Sequence, residues 1–202
     1  MLFKPSDIQV TPIPTPEPTT QAPGTSVRVL DTADQDDEFV VETISSPSML
    51  GEIDFAAKGC KHYYSSGAFN LIQLVLYVLK QVGPAHVLLA TYSVNERSIT
   101  TLKNHLDDGK ILSMRFLIDN RVRTISPKPF DHMITAFPGC VRCRTLHAKV
   151  ALIWNDDFKV DIVGSQNATH NPKLERGIIF TADNVFDFDK KVLEYEFEQG
   201  TT

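Results

Sequence analysis

Residues Leu146 to Asn167 read L-H-A-K-V-A-L-I-W-N-D-D-F-K-V-D-I-V-G-S-Q-N, a pattern of two short strands around a polar turn. Successive side chains of a strand point to opposite faces, so His147 and Lys149 share one face. Leu146, Ala148, Val150 and Leu152 then take the other face, toward a core. The turn at Asn155 to Asp157 has ordinary hairpin chemistry. A second strand, Lys159 to Val163, runs straight into Gly164-Ser165-Gln166-Asn167. Such a hairpin returns Gly164, Ser165 and Asn167 to the side of His147 and Lys149. One face then gathers an imidazole, an ammonium, a hydroxyl and a carboxamide.

That set suits a phosphodiester. An imidazole attacks phosphorus and divides one hard displacement into two easier ones. An ammonium and an amide hold the non-bridging oxygens of the phosphoryl group in transit. Gly164 permits close backbone approach, and the Ser165 hydroxyl donates to phosphate or to a neighbour. No metal and no cofactor are needed, because Lys149 supplies the cation.

The order H-x-K, hairpin, G-S-x-N resembles the signature of the phospholipase D superfamily. The resemblance implies that His147 is the nucleophile, that Lys149 and Asn167 bind phosphate, and that Ser165 belongs to the same motif. It also implies an acidic residue past G-S-x-N that hydrogen-bonds and orients the histidine. Glu175 stands in that place; its other reading is a surface carboxylate paired with Arg176 or Lys173. The family needs a second histidine, as acid for the leaving group and then base for water. This chain has one H-x-K, and short relatives bring two motifs together as a homodimer. The resemblance therefore implies a two-fold dimer with the two copies of His147 facing each other.

Two features depart from the family pattern. Trp154 stands where the motif carries an aspartate, and the gap from Lys149 to Gly164 is longer than the pattern. Asp156 or Asp157 either compensates from the lengthened turn or serves only the turn. Arg142 and Arg144, close in sequence to His147, either touch phosphates or face solvent. Thr91-Tyr92-Ser93 ends an apolar strand and either lines the pocket or forms a capped turn. Cys140 and Cys143 have the spacing of a zinc half-site, to which Cys60 and His62 would add ligands. Buried cysteines in strands are the ordinary reading of the same residues.

The 202 residues suit one domain of middling size after an N-terminal tail. Apolar residues at 42% and charged residues at 22% are those of a soluble globular chain. Three cysteines and no signal peptide point to a reducing cytoplasm. The apolar run Phe69 to Leu79 is too short to span a bilayer, so no membrane partner is expected. Net charge is −5, yet Arg97 to Lys149 holds ten Lys or Arg against four acidic residues. A basic middle of this kind either guides a nucleic acid or is a set of solvated charges.

Residues 1–35 read as a disordered tail, with six of the twelve prolines before Thr25. Residues 36–202 read as a single domain. Strands are predicted at Phe39–Ile44, Lys61–Ser65, His86–Tyr92, Ile111–Asp119, Val141–Arg144, Thr145–Trp154, Lys159–Val163 and Gly177–Phe180. Helices are predicted at Met49–Ala57, Ala68–Gln81, Asn95–Leu106 and Asp183–Glu198, and Arg121–Gly139 reads as a long polar loop with a short helix near His132. The βαβα order predicts an α/β fold: a mixed, mostly parallel sheet with helices on both faces, the sandwich of the phospholipase D family. Three functions fit: a metal-independent nuclease, a weakened relative that binds nucleic acid without cutting it, and a lipid phosphodiesterase. The polarity of 121–139 speaks against the last.

Overall fold

The computed structural model describes residues 37–44, 46–55, 57–65 and 69–202, with side chains from residue 46 onward. The chain divides into two units, 1–30 and 31–202, and the described residues fall in the second. The tail and its boundary at residue 35 lie outside them.

The run Ala85–Thr91 (A-H-V-L-L-A-T) forms β3, buried on both faces as its continuous apolar pattern predicts. Val87 and Leu89 enter one core, and Leu88 and Ala90 enter the other. β4 (Ile111–Asp119) lies parallel to β3 after a crossover through α2 (Glu96–Asp107). Asn95 starts α2 by accepting the Ser98 N–H on its side chain. β5 (Val141–Arg144) adds a parallel edge beside β4.

The remaining strands are β1 (Asp37–Ile44), β2 (Cys60–Ser65), β6 (Val150–Trp154), β7 (Lys159–Gly164) and β8 (Glu175–Phe180). Among the described residues they complete one eight-stranded sheet in the order β1-β2-β8-β7-β6-β3-β4-β5. β1/β2, β3/β4 and β4/β5 are parallel; the other four pairings are antiparallel. The sheet is thus mixed, as expected, but not mostly parallel. Part of the reason is local: β6, β7 and β8 follow one another without a crossover helix, and neighbours joined in this way run in opposite directions. Asn155 sets the first of these turns, its side-chain oxygen accepting from Asp157 N and Phe158 N. Its amide nitrogen donates to the carbonyls of Val82 and Pro84, tying the hairpin to the end of α1.

Helices cover both faces, as predicted. α1 (Leu71–Val82), α2 and α4 (Pro127–Ala136) pack on one face through residues such as Leu74, Val78, Ile99, Leu102 and Met133. α5 (Asp183–Glu198) covers the other through Phe186 and Leu193. Each fully buried aliphatic or aromatic side chain contributes about 1.5–3 kcal/mol. The apolar helix α1 therefore sits centrally because of its own side chains. It is capped by Asn70, which forms a reciprocal pair with Gln73. Gly83 ends it at φ 78, a conformation that favours glycine.

Two segments differ from expectation. The described residues of Met49–Ala57 form no α-helix: a 3-10 turn at Pro47–Leu50 gives way to loop. The segment 121–139 is not a long loop, because α3 (Val122–Ile125) and α4 occupy most of it. Pro127 and Pro129 fall in the first turn of α4, where the missing N–H costs nothing, and Pro138 follows its end. Met133 and Phe137, one helical turn apart, anchor it in the core.

Candidate functional site

His147 and Lys149 precede β6 instead of lying within its ladder, which begins at Val150. The backbone there is still extended enough to bring the pair together. Lys149 Nζ lies 3.0 Å from His147 Nδ1 and 3.2 Å from Nε2, and it donates to the His147 carbonyl at 2.7 Å. His147 is exposed while Lys149 is only 6% exposed. Burial pushes the Lys149 ammonium below its usual pKa, and the negative Glu175 opposes that fall. Val150 and Leu152 face the core as expected, and Leu146 packs partly against it. Ala148 does not: it is exposed, because the segment has left the ladder.

The hairpin returns G-S-x-N to this place. Gly164 N–H donates to the Lys149 carbonyl at 3.1 Å, closing β7 against the start of β6. A Cβ on Gly164 would lie 2.9 Å from the Arg176 carbonyl oxygen, so the close backbone approach at this glycine is made by β8. Ser165 Oγ donates to Glu175 Oε2 and accepts the Arg176 N–H at 3.0 Å. Its hydroxyl thus serves the carboxylate next to it.

Glu175 is buried at the head of β8, so the surface reading of this residue is overturned. Its oxygens are taken by Ser165 and by the Asn171 amide, and among the described residues no hydrogen bond joins it to the His147 ring. Its link to the pair is electrostatic, through Lys149. Asn167 sits across the carboxyl end of β3: Thr91 Oγ1 donates to Asn167 Oδ1 at 3.4 Å, and Leu71 N donates to its carbonyl. Thr91-Tyr92-Ser93 does line the site, with Ser93 Oγ 3.0 Å from Thr169 Oγ1 and the Tyr92 ring 5.3 Å from the His147 ring.

Arg142 and Arg144 are not brought to His147. Arg144 pairs with Glu196 at 2.8 Å, and Arg142 lies over the Phe197 ring and donates to the carbonyls of Gly139 and Val141. Both are held against the last turns of α5. Three more cations of the basic middle are taken up in ion pairs elsewhere: Lys103 with Asp107, Lys110 with Asp108, and Arg115 with Glu194. Arg121 instead lies at the site, its guanidinium 4.6 Å above the Tyr92 ring and bonded to Asp119 at 2.8 Å. Asp119 is buried and also accepts the Leu146 N–H. Burial pushes the Asp119 carboxyl up, but the hydrogen bonds from Arg121 and Leu146 outweigh it and hold the pKa below the usual range. Sequence reasoning missed this pair. The available signal was Asp119-Asn-Arg121 at the carboxyl end of a buried strand, where open α/β sheets place their ligands.

Trp154 lies at the far end of β6 from Lys149, about 13–17 Å along the strand. It stacks on His86, and Lys190 sits over its ring. The departure from the motif therefore falls away from the site. Asp156 and Asp157 belong to the distal turn and do not compensate. The four residues of the zinc reading lie near opposite edges of the sheet, Cys60 and His62 on β2 and Cys140 and Cys143 at β5, so they do not converge. Cys60 Sγ instead contacts His62 Nε2 at 3.3 Å.

No family model and no curated protein sequence matches the chain. Its fold is similar to the solved structure of a phospholipase D family member, Nuc from Salmonella typhimurium, with a TM-score of 0.50 and 14% identity, over 71% of this chain and 96% of that one. Polyphosphate kinase from Porphyromonas gingivalis matches with a TM-score of 0.54 and 12% identity, over 80% of this chain and 30% of the kinase. NucT from Helicobacter pylori has a TM-score of 0.49 and 17% identity, over 70% of this chain and 98% of that one. The likeness is one of fold, and the α/β sandwich expected of a phospholipase D-like chain is the one observed. No helix of the described residues is long and apolar enough to cross a membrane.

Proposed function

We propose that the chain is a metal-independent phosphodiesterase that hydrolyses nucleic acid through a phosphohistidine, at a site shared by two copies. The observation that carries the reading is the exposed His147 ring within 3.0–3.2 Å of a buried lysine ammonium, with Gly164 pinned to the Lys149 carbonyl. In the proposed cycle a His147 ring nitrogen attacks phosphorus, forming a P–N bond as the P–O bond to the leaving group breaks. His147 of the second copy protonates that oxygen, then takes a proton from the water that cleaves the P–N bond. Lys149 and Asn167 hold the non-bridging oxygens.

Support for the second copy comes from the exposed His147 and Ala148 and from two exposed apolar side chains beside Glu175. These are Leu174 at 65% and Tyr64 at 45%, on paired strands or directly beside them. A short oligonucleotide incubated with purified protein in excess chelator tests the whole reading. Cleavage should fall by more than about a thousandfold in His147→Ala, and acid-labile phosphate should be trapped on the wild-type protein alone. Equal cleavage by the variant, or a monomer at active concentrations, overturns it.

A further inference from the structure

We infer that Arg121, laid on Tyr92 and braced by Asp119, binds the phosphate next to the one being cleaved, which makes the substrate a polymer and not a single diester. The inference rests on the function proposed above and narrows its substrate class to a strand with consecutive phosphates. Its starting point is the Tyr92 ring, which has two cations around it. Arg121 Cζ lies 4.6 Å from the ring centroid and Lys149 Nζ lies 5.8 Å from it, with the His147 ring 5.3 Å away. The nucleophile, its lysine and a second cation are therefore gathered around one aromatic ring.

The way Arg121 is held suits an anion. Asp119 Oδ1 accepts both the Arg121 backbone N–H at 3.0 Å and the Nε–H at 2.8 Å. That fixes the guanidinium by its inner edge. Among the described residues Nη1 and Nη2 donate no hydrogen bond, and the side chain is 60% exposed. A planar fork with its outer donors facing solvent matches the non-bridging oxygens of a phosphate. A single diester such as a lipid headgroup fills the His147–Lys149 place and leaves Arg121 unused. A nucleic-acid strand presents its next phosphate in reach of it.

The same carboxylate serves both halves. Asp119 Oδ2 accepts the Leu146 N–H at 3.1 Å, one residue before the nucleophile. Arg121 and His147 are thereby registered to a single buried group, and the spacing between the two phosphate places is set by the scaffold.

The test is the salt dependence of binding of a single-stranded oligothymidylate, measured in the His147→Ala background so that turnover plays no part. Each phosphate contact on a single strand contributes about 0.7 to the slope of log K against log salt. Arg121→Gln should lower that slope by about 0.7, and Arg121→Lys, which keeps the charge, should restore it. An unchanged slope in Arg121→Gln with wild-type thermal stability overturns the inference. A changed slope in a protein whose parent cleaves nothing would leave the second phosphate site standing and remove the hydrolytic reading instead.

Discussion

Tyr63→Phe removes one oxygen from a place where the structure leaves no substitute. Tyr63 is 1% exposed on β2, and its hydroxyl donates to Gln166 Oε1 at 2.6 Å. Gln166 is itself 2% exposed, between Ser165 and Asn167, and its amide nitrogen donates to Ser65 Oγ at 3.0 Å and to the Phe69 carbonyl at 3.4 Å. The amide cannot turn over to recover a donor, because its oxygen would then face the Phe69 carbonyl. Loss of the hydroxyl leaves Oε1 buried and unpaired, a cost of about 1–3 kcal/mol. For a domain of this size each 1 kcal/mol lowers Tm by about 2–4 °C. The expected fall is therefore roughly 2–12 °C by calorimetry, with the urea m-value unchanged because the surface exposed on unfolding is the same. Burial, then the negative Glu175, raises the Tyr63 pKa well above its ordinary value, so the loss should be the same at pH 6 and pH 9. A variant within a degree of wild type would refute the view that this buried amide sets the loop carrying Ser165 and Asn167.

Two further outcomes follow from buried charge. Asp161 on β7 has no exposed surface, and burial together with the neighbouring Asp189 raises its pKa well above the ordinary value. A raised carboxyl stabilises the fold fully below its unfolded pKa and loses that contribution as pH rises through the folded one. Thermal scans should thus show Asp161→Asn gaining on wild type as pH increases, by about 2–4 °C for each 1 kcal/mol relieved; a constant gap between the two proteins would sink the argument. Glu175→Gln removes the charge that holds the Lys149 pKa up against burial, so Lys149 should lose its proton at lower pH. In a pH profile of kcat/KM the alkaline limb should move to lower pH, and an unmoved limb would show that Lys149 does not titrate in it.

Much of this was legible in the chain, for reasons that differ between elements. β3, β4 and α2 were readable because long apolar runs and an Asn cap are local signals. The convergence of His147, Lys149 and Gly164 was readable because a short hairpin leaves one geometry. Strand direction was not: a strand buried on both faces has the same apolar pattern in a parallel or an antiparallel ladder. Placing β7 and β8 between β6 and β2 depends on pairings far apart in sequence. The proline-bearing helix α4 was hidden because Pro127 and Pro129 read as breakers until their place in its first turn is known. The partners of Glu175 were misread for a similar reason. Ser165 was read as serving phosphate or a neighbour, and the antiparallel approach of β8 puts its hydroxyl on the carboxylate.

The site is also explained by what holds it where no ladder does. Between β5 and β6 the residues 145–149 make no strand, yet they carry the proposed nucleophile. Among the bonds that hold this segment are Leu146 N to Asp119, Gly164 N to the Lys149 carbonyl, and Lys149 Nζ to the His147 carbonyl. The first comes from the end of β4, the second from the end of β7, and the third from within. A strand ladder would have aimed His147 by the pleat alone, with Ala148 turned to the core. Freed from it, the ring can stand beside both Lys149 and Tyr92 while Ala148 faces out. What fixes His147 is therefore the meeting of two strand ends from different parts of the chain. Asp119, buried and holding both Leu146 and Arg121, is the residue through which that meeting is made.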